Sequence, residues 1–255
     1  MSPIPSEFDG RVVLVTGGAQ GIGQAIVRQF AEAGAQVMIA DLRGEQAANL
    51  AAALRAEGWQ VSAAAVDLTQ PEAIATLLQQ IESTHGRLDV LVHNAGYFPL
   101  TPFSEISPRV LQRTLDVNLS ALFWLTQGAL PLFTRQGSGC VLVTSSVTGP
   151  RVAYPGLTHY AAAKAGVNGF IRAAALELAP LKVRVNGVEP GMIERPPWTI
   201  SAMHPSTPAL PQPCHWDAWV SRAISPRLCA FWPRMGRRTS RDRPLWSTAE
   251  RRCRR

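Results

Sequence analysis

An α/β domain built on a doubly wound parallel sheet is the fold the sequence predicts, and three observations carry it. Short β-branched runs alternate with helical stretches over residues 1–194. The runs are apolar nearly throughout, as strands buried on both faces are. Glycine-rich and polar turns follow the runs, at the strand carboxyl ends where such sheets bind ligands. The chain has 255 residues, 46% apolar and 17% charged. It can bury a sizeable core, which excludes wholesale disorder and collagen-like or coiled-coil repeats. No apolar run reaches the length of a membrane span. The start, MSPIPSEFDG, has neither a basic n-region nor an apolar h-region, so no secretory signal is expected. Four Cys at irregular spacing form neither a disulfide framework nor a zinc pattern. The cytosol is the expected compartment.

The elements follow in order. Arg11–Thr16 is the first strand and Gly21–Ala33 the first helix, with Ile22, Ile26, Val27 and Phe30 at helical spacing and Gly34 as its stop. Gln36–Ala40 and Glu45–Ala56 repeat the unit, as do Val61–Val66 and Pro71–Ser83. Leu88–His93 is the fourth strand and Pro108–Phe133 a long helical stretch. Cys140–Thr144, Thr158–Ala179 and Val183–Val188 supply the fifth strand, another helix and the sixth strand.

Candidate functional residues gather at the strand ends. Gly17, Gly21 and Gly23, with Gln20 and Ile22 between them, form a turn that lets the backbone approach a pyrophosphate. The helix that follows offers free N–H groups and a partial positive charge. Asp41 closes the second strand, 18 residues after Gly23. A carboxylate there can accept hydrogen bonds from a ribose diol and repels a 2′-phosphate, which points to NAD over NADP. Arg43 is a mild counter-signal. Asp67, followed by Leu68, ends the third strand, where it meets an adenine amino group or caps the helix after Pro71. The fourth strand ends His93-Asn94-Ala95-Gly96; His93 reads as a packed, hydrogen-bonded histidine. Asn118 is a poor helix former inside a helical stretch and marks a kink or a functional position.

Ser146, Tyr160 and Lys164 form the strongest constellation. Tyr-x-x-x-Lys puts both side chains on one helix face, one turn apart. An ammonium beside a phenol favours phenolate and is expected to lower the Tyr160 pKa from about 10. The tyrosine then serves as acid or base near neutral pH. Ser146, at the end of the neighbouring strand, is placed to hold a substrate oxygen.

Together these residues resemble the short-chain dehydrogenase/reductase family in its classical form. The matched residues are Thr16-Gly17, Gly21-x-Gly23, Asn94-Ala95-Gly96, Asn118, Ser146, Tyr160-x-x-x-Lys164 and Pro190-Gly191, in order over residues 8–194. The resemblance implies a Rossmann-like fold and nicotinamide-dependent hydride transfer at an alcohol or carbonyl. It implies Tyr160 as general acid/base and Lys164 as the group that lowers its pKa and holds the nicotinamide ribose. It further implies Ser146 as the residue orienting the substrate oxygen and Asn118 as the holder of a water in the proton relay. Pro190, Gly191 and Ile193 join the cofactor-binding set. Two departures are small: His93 stands where the family usually has Asn, and Ser146 precedes Tyr160 by 14 positions, one more than usual, with Ser145 as the alternative. Val147, Tyr154 and Met192 suggest a modest apolar site for a secondary alcohol or ketone. The helical stretches Pro108–Phe133 and Thr158–Ala179 correspond to the family's helix-pair interface, so a homo-oligomer is implied. No nucleic-acid or membrane partner is expected. The other function weighed is a non-catalytic, degraded dehydrogenase fold that at most binds cofactor.

Residues 195–255 break the pattern. Residues 1–194 carry 13 Lys and Arg against 15 Asp and Glu, whereas residues 195–255 carry 12 Arg against 3 acids, with five of the seven Trp. The family's helix and last strand, expected to complete the sheet here, are missing. Shifting the reading frame by one base restores them. Trp232–Glu250 then reads LASDGAAYITGQTIVVDGG and His215–Cys229 reads PLGRLGEPSDIAAAV. Trp and Met have single codons ending in G, which constrains the next shifted residue. Trp216-Asp217, Trp219-Val220 and Met235-Gly236 each force Gly, and Trp232-Pro233 forces Ala. Trp246-Ser247 gives Val with a TC serine codon. One base missing near codon 194 therefore explains an irregular basic tail, expected to be out-of-frame and disordered. The alternative is a genuine basic extension that binds RNA or an anionic surface.

Overall fold

The computed structural model describes residues 8–191. Six parallel strands form the sheet: β1 (Val12–Thr16), β2 (Gln36–Asp41), β3 (Val61–Ala65), β4 (Val90–His93), β5 (Gly139–Thr144) and β6 (Val183–Val188). Their order is β3-β2-β1-β4-β5-β6. The chain builds outward from β1 to β3, then crosses back to lay β4 beside β1. The crevice at that reversal is where a doubly wound sheet takes its ligand.

The helices are α1 (Gly21–Glu32), α2 (Gly44–Ala56), α3 (Pro71–His85), α4 (Pro108–Leu115), α5 (Ala121–Gln136) and α6 (Thr158–Glu177). Alternation along β1 sorts its side chains to two cores. Val13 and Val15 face Ile26, Phe30, Ala47 and Leu54 of α1 and α2. Val12 and Leu14 face Ile74, Leu77 and Ile81 of α3, Leu122 and Phe133 of α5, and Val167 of α6. Both sheet faces are thereby covered, which is why the strands read as continuous apolar runs.

The expected elements appear within a few residues of their observed bounds, with one informative difference. The single helical stretch over 108–133 is two helices joined by a π-turn, Asp116–Ser120, centred on Asn118. A π-turn shifts the backbone hydrogen bonds by one residue and releases a carbonyl. The Asn118 side chain takes one up: its Nδ2 donates to the Thr114 carbonyl at 2.9 Å and to the Tyr97 carbonyl at 2.7 Å.

Among the described residues β6 pairs only with β5 and forms one edge of the sheet. The expectations for Met192, Ile193 and residues 195–255 lie outside the described residues. Among the described residues no helix is long and apolar enough to cross a membrane.

Candidate active site

A cleft of about 710 Å³ opens over the carboxyl ends of the strands. Its floor is two turns nested on each other. Gly17 adopts φ +63°, and a Cβ on it would stand 2.7 Å from the Ala95 Cα; a Cβ on Gly23 would stand 2.0 Å from the Gly17 carbonyl oxygen. Only glycine lets the β1–α1 turn lie this close to the β4 turn. Thr16 Oγ1 accepts from the Asn94 and Ala95 amides at 3.1 and 3.2 Å. Asn94 Nδ2 returns a bond to the Gly17 carbonyl at 3.0 Å, and Thr144 Oγ1 donates to Asn94 Oδ1 at 3.2 Å. Helix α1 has no side-chain cap and no acid in its first turn. Its free amides and positive end, at Gly21 and Ile22, border the cleft. The donor set fits a pyrophosphate.

Asp41 is 6% exposed and has both oxygens engaged: Oδ2 accepts from the Ala19 amide and Oδ1 from the Arg43 amide, each at 3.0 Å. It therefore braces the glycine-rich turn as well as facing the cleft. The Arg43 guanidinium lies beside it, Nε 3.7 Å from Oδ1, and donates to Gln20 Oε1 at 2.7 Å. Asp67 corrects one expectation. Its Oδ1 accepts from the Thr69 amide and hydroxyl at 3.0 and 2.8 Å, while Gln70 occupies the N-cap of α3. The carboxylate closes a tight loop rather than capping the helix. The bond from the Thr69 amide is the foremost influence holding its pKa below the ordinary carboxylate value, against opposing desolvation.

Tyr160 and Lys164 project from α6 toward the end of β5, and Ser146 follows that strand. The Tyr160 phenol interacts with the Ser146 hydroxyl. Ser146 Oγ also accepts from the Thr148 amide at 3.1 Å. Lys164 is 2% exposed; its Nζ donates to the Thr144 carbonyl at 2.7 Å and lies 5.6 Å from the Tyr160 ring centroid. Burial pulls the Lys164 ammonium down to about 7. Burial also pushes the Tyr160 phenol above its ordinary value, outweighing the opposite effect of Ser146. The expected lowering of the Tyr160 pKa by Lys164 is thus corrected: the burial of each group is the foremost influence on both. The Phe98 ring packs against Tyr160 at 5.2 Å between centroids.

Gly17, Gln20, Gly21, Ile22, Asp41, Asp67, Leu68, Asn94, Ala95, Gly96, Ser146, Tyr160, Lys164, Pro190 and Gly191 all line the cleft. Gly23 and Asn118 do not; Gly23 is packed under the turn and Asn118 is fully buried behind Val117. Ser145, the alternative to Ser146, turns its hydroxyl away to Asn168 Oδ1 at 2.6 Å. Of the suggested substrate residues Tyr154 lines the cleft and Val147 does not. Sequence reasoning missed Tyr97, Arg113 and Thr144. Arg113 stands 5.2 Å over the Tyr97 ring and lines the cleft.

Comparison with known proteins agrees with this architecture. The model of the family described as short chain dehydrogenase matches residues 11–203. Oxidoreductase UcpA of Escherichia coli K12 is 34% identical over 206 residues, covering 81% of this chain and 78% of the relative. Cis-4-hydroxycyclohexanecarboxylate dehydrogenase of Sinomonas cyclohexanicum is 37% identical over 190 residues, covering 74% and 76%. A metagenomic short-chain oxidoreductase solved in complex with NADP superposes with a TM-score of 0.69 at 33% identity, covering 73% of this chain and 84% of that one. The chain belongs to the short-chain dehydrogenase family, with its Rossmann-like parallel sheet, and is a nicotinamide-dependent oxidoreductase by descent.

Proposed function

We propose that the protein is an NAD(H)-dependent oxidoreductase acting on a secondary alcohol or ketone, with Tyr160 as its acid/base. The observation that carries the reading is a single cleft holding the uncapped start of α1, the Asp41 carboxylate and the Ser146–Tyr160–Lys164 group. The nicotinamide cofactor supplies or accepts the hydride. The glycine-rich turn and the α1 amides hold its pyrophosphate, Asp41 its adenosine ribose, Asp67 and Leu68 border its adenine, and Pro190, Gly191 and Ile193 its nicotinamide end. Lys164 takes the nicotinamide ribose. Ser146 orients the substrate oxygen, Tyr160 gives or takes the proton at that oxygen, and Asn118 places a water in the proton relay. Phe98 and Tyr154 offer the substrate an apolar wall. The relatives' activities and the NADP of the metagenomic structure belong to those proteins.

NAD is favoured because Asp41 opposes a 2′-phosphate with a nearly buried charge, while Arg43 is already held by Gln20. NADH and NADPH fluorescence titrations test this. NADH binds more tightly in the parent, and Asp41→Ala narrows the difference. Tighter NADPH binding by the parent overturns the preference. Since Asp41 also braces the Ala19 amide, the variant loses some affinity for both nucleotides.

The same proposal takes the protein to be cytosolic and a family-like homo-oligomer. The half-exposed Phe123 and Trp124 on α5, with Phe170 of α6 against Phe123, support the association. Residues 1–194 are read as the catalytic domain and 195–255 as an out-of-frame product. The forced glycines after Trp216, Trp219 and Met235 support that division.

A further inference from the structure

Behind the Ser146–Tyr160–Lys164 group runs a hydrogen-bonded chain of four side chains that the dehydrogenase reading leaves unused. Ser145 Oγ meets Asn168 Oδ1 at 2.6 Å, Asn168 Nδ2 meets Glu189 Oε1, and Arg151 Nε meets Glu189 Oε2 at 2.6 Å. Ser145 and Asn168 are buried, and the Glu189 side chain is 6% exposed. The four residues come from four places: the end of β5, α6, the end of β6 and the turn after Ser146. Asn168 stands one helical turn beyond Lys164, so Tyr160, Lys164 and Asn168 share a face of α6. Backbone bonds flank Ser146 on both sides: the Ser145 amide donates to the Val188 carbonyl at 2.8 Å and the Val147 amide to the Pro190 carbonyl at 3.1 Å. Glu189 lies between those two acceptors in the chain.

One group sets the direction of every bond in this chain. The Glu189 carboxylate, paired with the Arg151 guanidinium, offers acceptors alone. Arg151 Nε and Asn168 Nδ2 both donate to it. The Asn168 amide, whose two ends could otherwise exchange, therefore turns its oxygen to Ser145. A carbonyl oxygen only accepts, so the single hydrogen of the Ser145 hydroxyl is spent on Asn168. Ser146 Oγ, by contrast, accepts from the Thr148 amide at 3.1 Å and keeps its hydrogen. We propose that Glu189 is a positioning residue: through Asn168 it locks the Ser145 hydroxyl into the core, and through Arg151 it holds the turn after Ser146, so that Ser146 is the serine set against Tyr160. The link to proton transfer rests on the dehydrogenase reading; the bond directions do not.

Exchanging the acid and the amide in the full chain tests this. Glu189→Gln sets one donor and one acceptor before two donors, and Asn168→Asp sets two carboxylates face to face. The double variant Glu189→Gln/Asn168→Asp lets every bond form again. Arg151 donates to the new amide oxygen, the new amide nitrogen to the new carboxylate, and Ser145 to that carboxylate's other oxygen. Hydrogen exchange across residues 145–152 should speed by about tenfold in Glu189→Gln and return to within about threefold of the parent in the double variant. The kcat for ketone reduction should fall about tenfold in Glu189→Gln, with NADH affinity unchanged, and recover in the double variant. If Asn168→Asp does not fold, Glu189→Gln against the double variant completes the comparison. Unchanged exchange in Glu189→Gln, or a double variant no better protected than Glu189→Gln, overturns the bond directions. Faster exchange beside the parent's kcat in Glu189→Gln overturns the positioning role. A parent that reduces no ketone tells against the dehydrogenase reading, while the exchange result still decides the bond directions.

Discussion

Replacing Lys164 by Met should stabilise the protein at low pH and destabilise it at high pH. The lysine is fully buried, with its pKa lowered from 10.5 to about 7 by desolvation. Below pH 7 the folded and unfolded chains both carry the proton, and the folded state bears the whole cost of a buried charge. Between pH 7 and 10.5 the unfolded chain binds more protons, so stability rises with pH. Above that range the cost is gone. At about 1.4 kcal/mol per pH unit the full span is worth roughly 5 kcal/mol. Rearrangement and water entering the cleft reduce the realised cost to ~2–3 kcal/mol. Methionine has similar length and no charge, but it leaves the Thr144 carbonyl without the donor now 2.7 Å away, a loss of about 1 kcal/mol. The variant should therefore be more stable than the parent by ~1–2 kcal/mol at pH 6 and less stable by ~1 kcal/mol near pH 10.5. Urea unfolding of both proteins across this range measures the difference, and titrations common to the two cancel. A difference that does not change with pH would refute the reasoning.

Two further outcomes follow from the cleft and the tail. Gly23→Ala puts a Cβ 2.0 Å from the Gly17 carbonyl oxygen, so it should abolish measurable NADH binding in a fluorescence titration and lower stability by ~1–3 kcal/mol; unchanged affinity would show that the two turns are not nested. Inserting one base near codon 194 should yield a chain ending in the family's helix and last strand, with higher soluble yield and turnover than the chain as written. Equal yield and turnover from the two chains would make residues 195–255 a genuine extension.

Features set by local spacing were the legible ones. The six strands, the glycine-rich turn, Asp41 and the Tyr160–Lys164 pair are all short-range patterns. Asn118 announced a break because asparagine is a poor helix former, but its π-turn depends on carbonyls of Thr114 and Tyr97 that no spacing reveals. The sequence left Asp67 open between a ligand and a helix cap because both need a carboxylate at a strand end; the bonds of its Oδ1 to Thr69 rule out the cap. The direction of the Tyr160 shift was illegible for a different reason. The Tyr-x-x-x-Lys spacing shows which charge is near, while desolvation depends on Phe98 and Thr144, which come from other strands and loops. Arg113 and Tyr97 escaped notice because their meeting is a contact between α4 and the loop after β4.

Tyr160→Phe keeps the ring packing against Phe98 and removes the group proposed to exchange a proton with the substrate oxygen. Its rate of NADH oxidation with a ketone, measured beside the parent and alongside an NADH binding titration, bears most directly on the dehydrogenase assignment. Turnover should fall by roughly 10²–10⁴-fold with NADH affinity nearly unchanged. Turnover by Tyr160→Phe at the parent's rate would contradict the assignment.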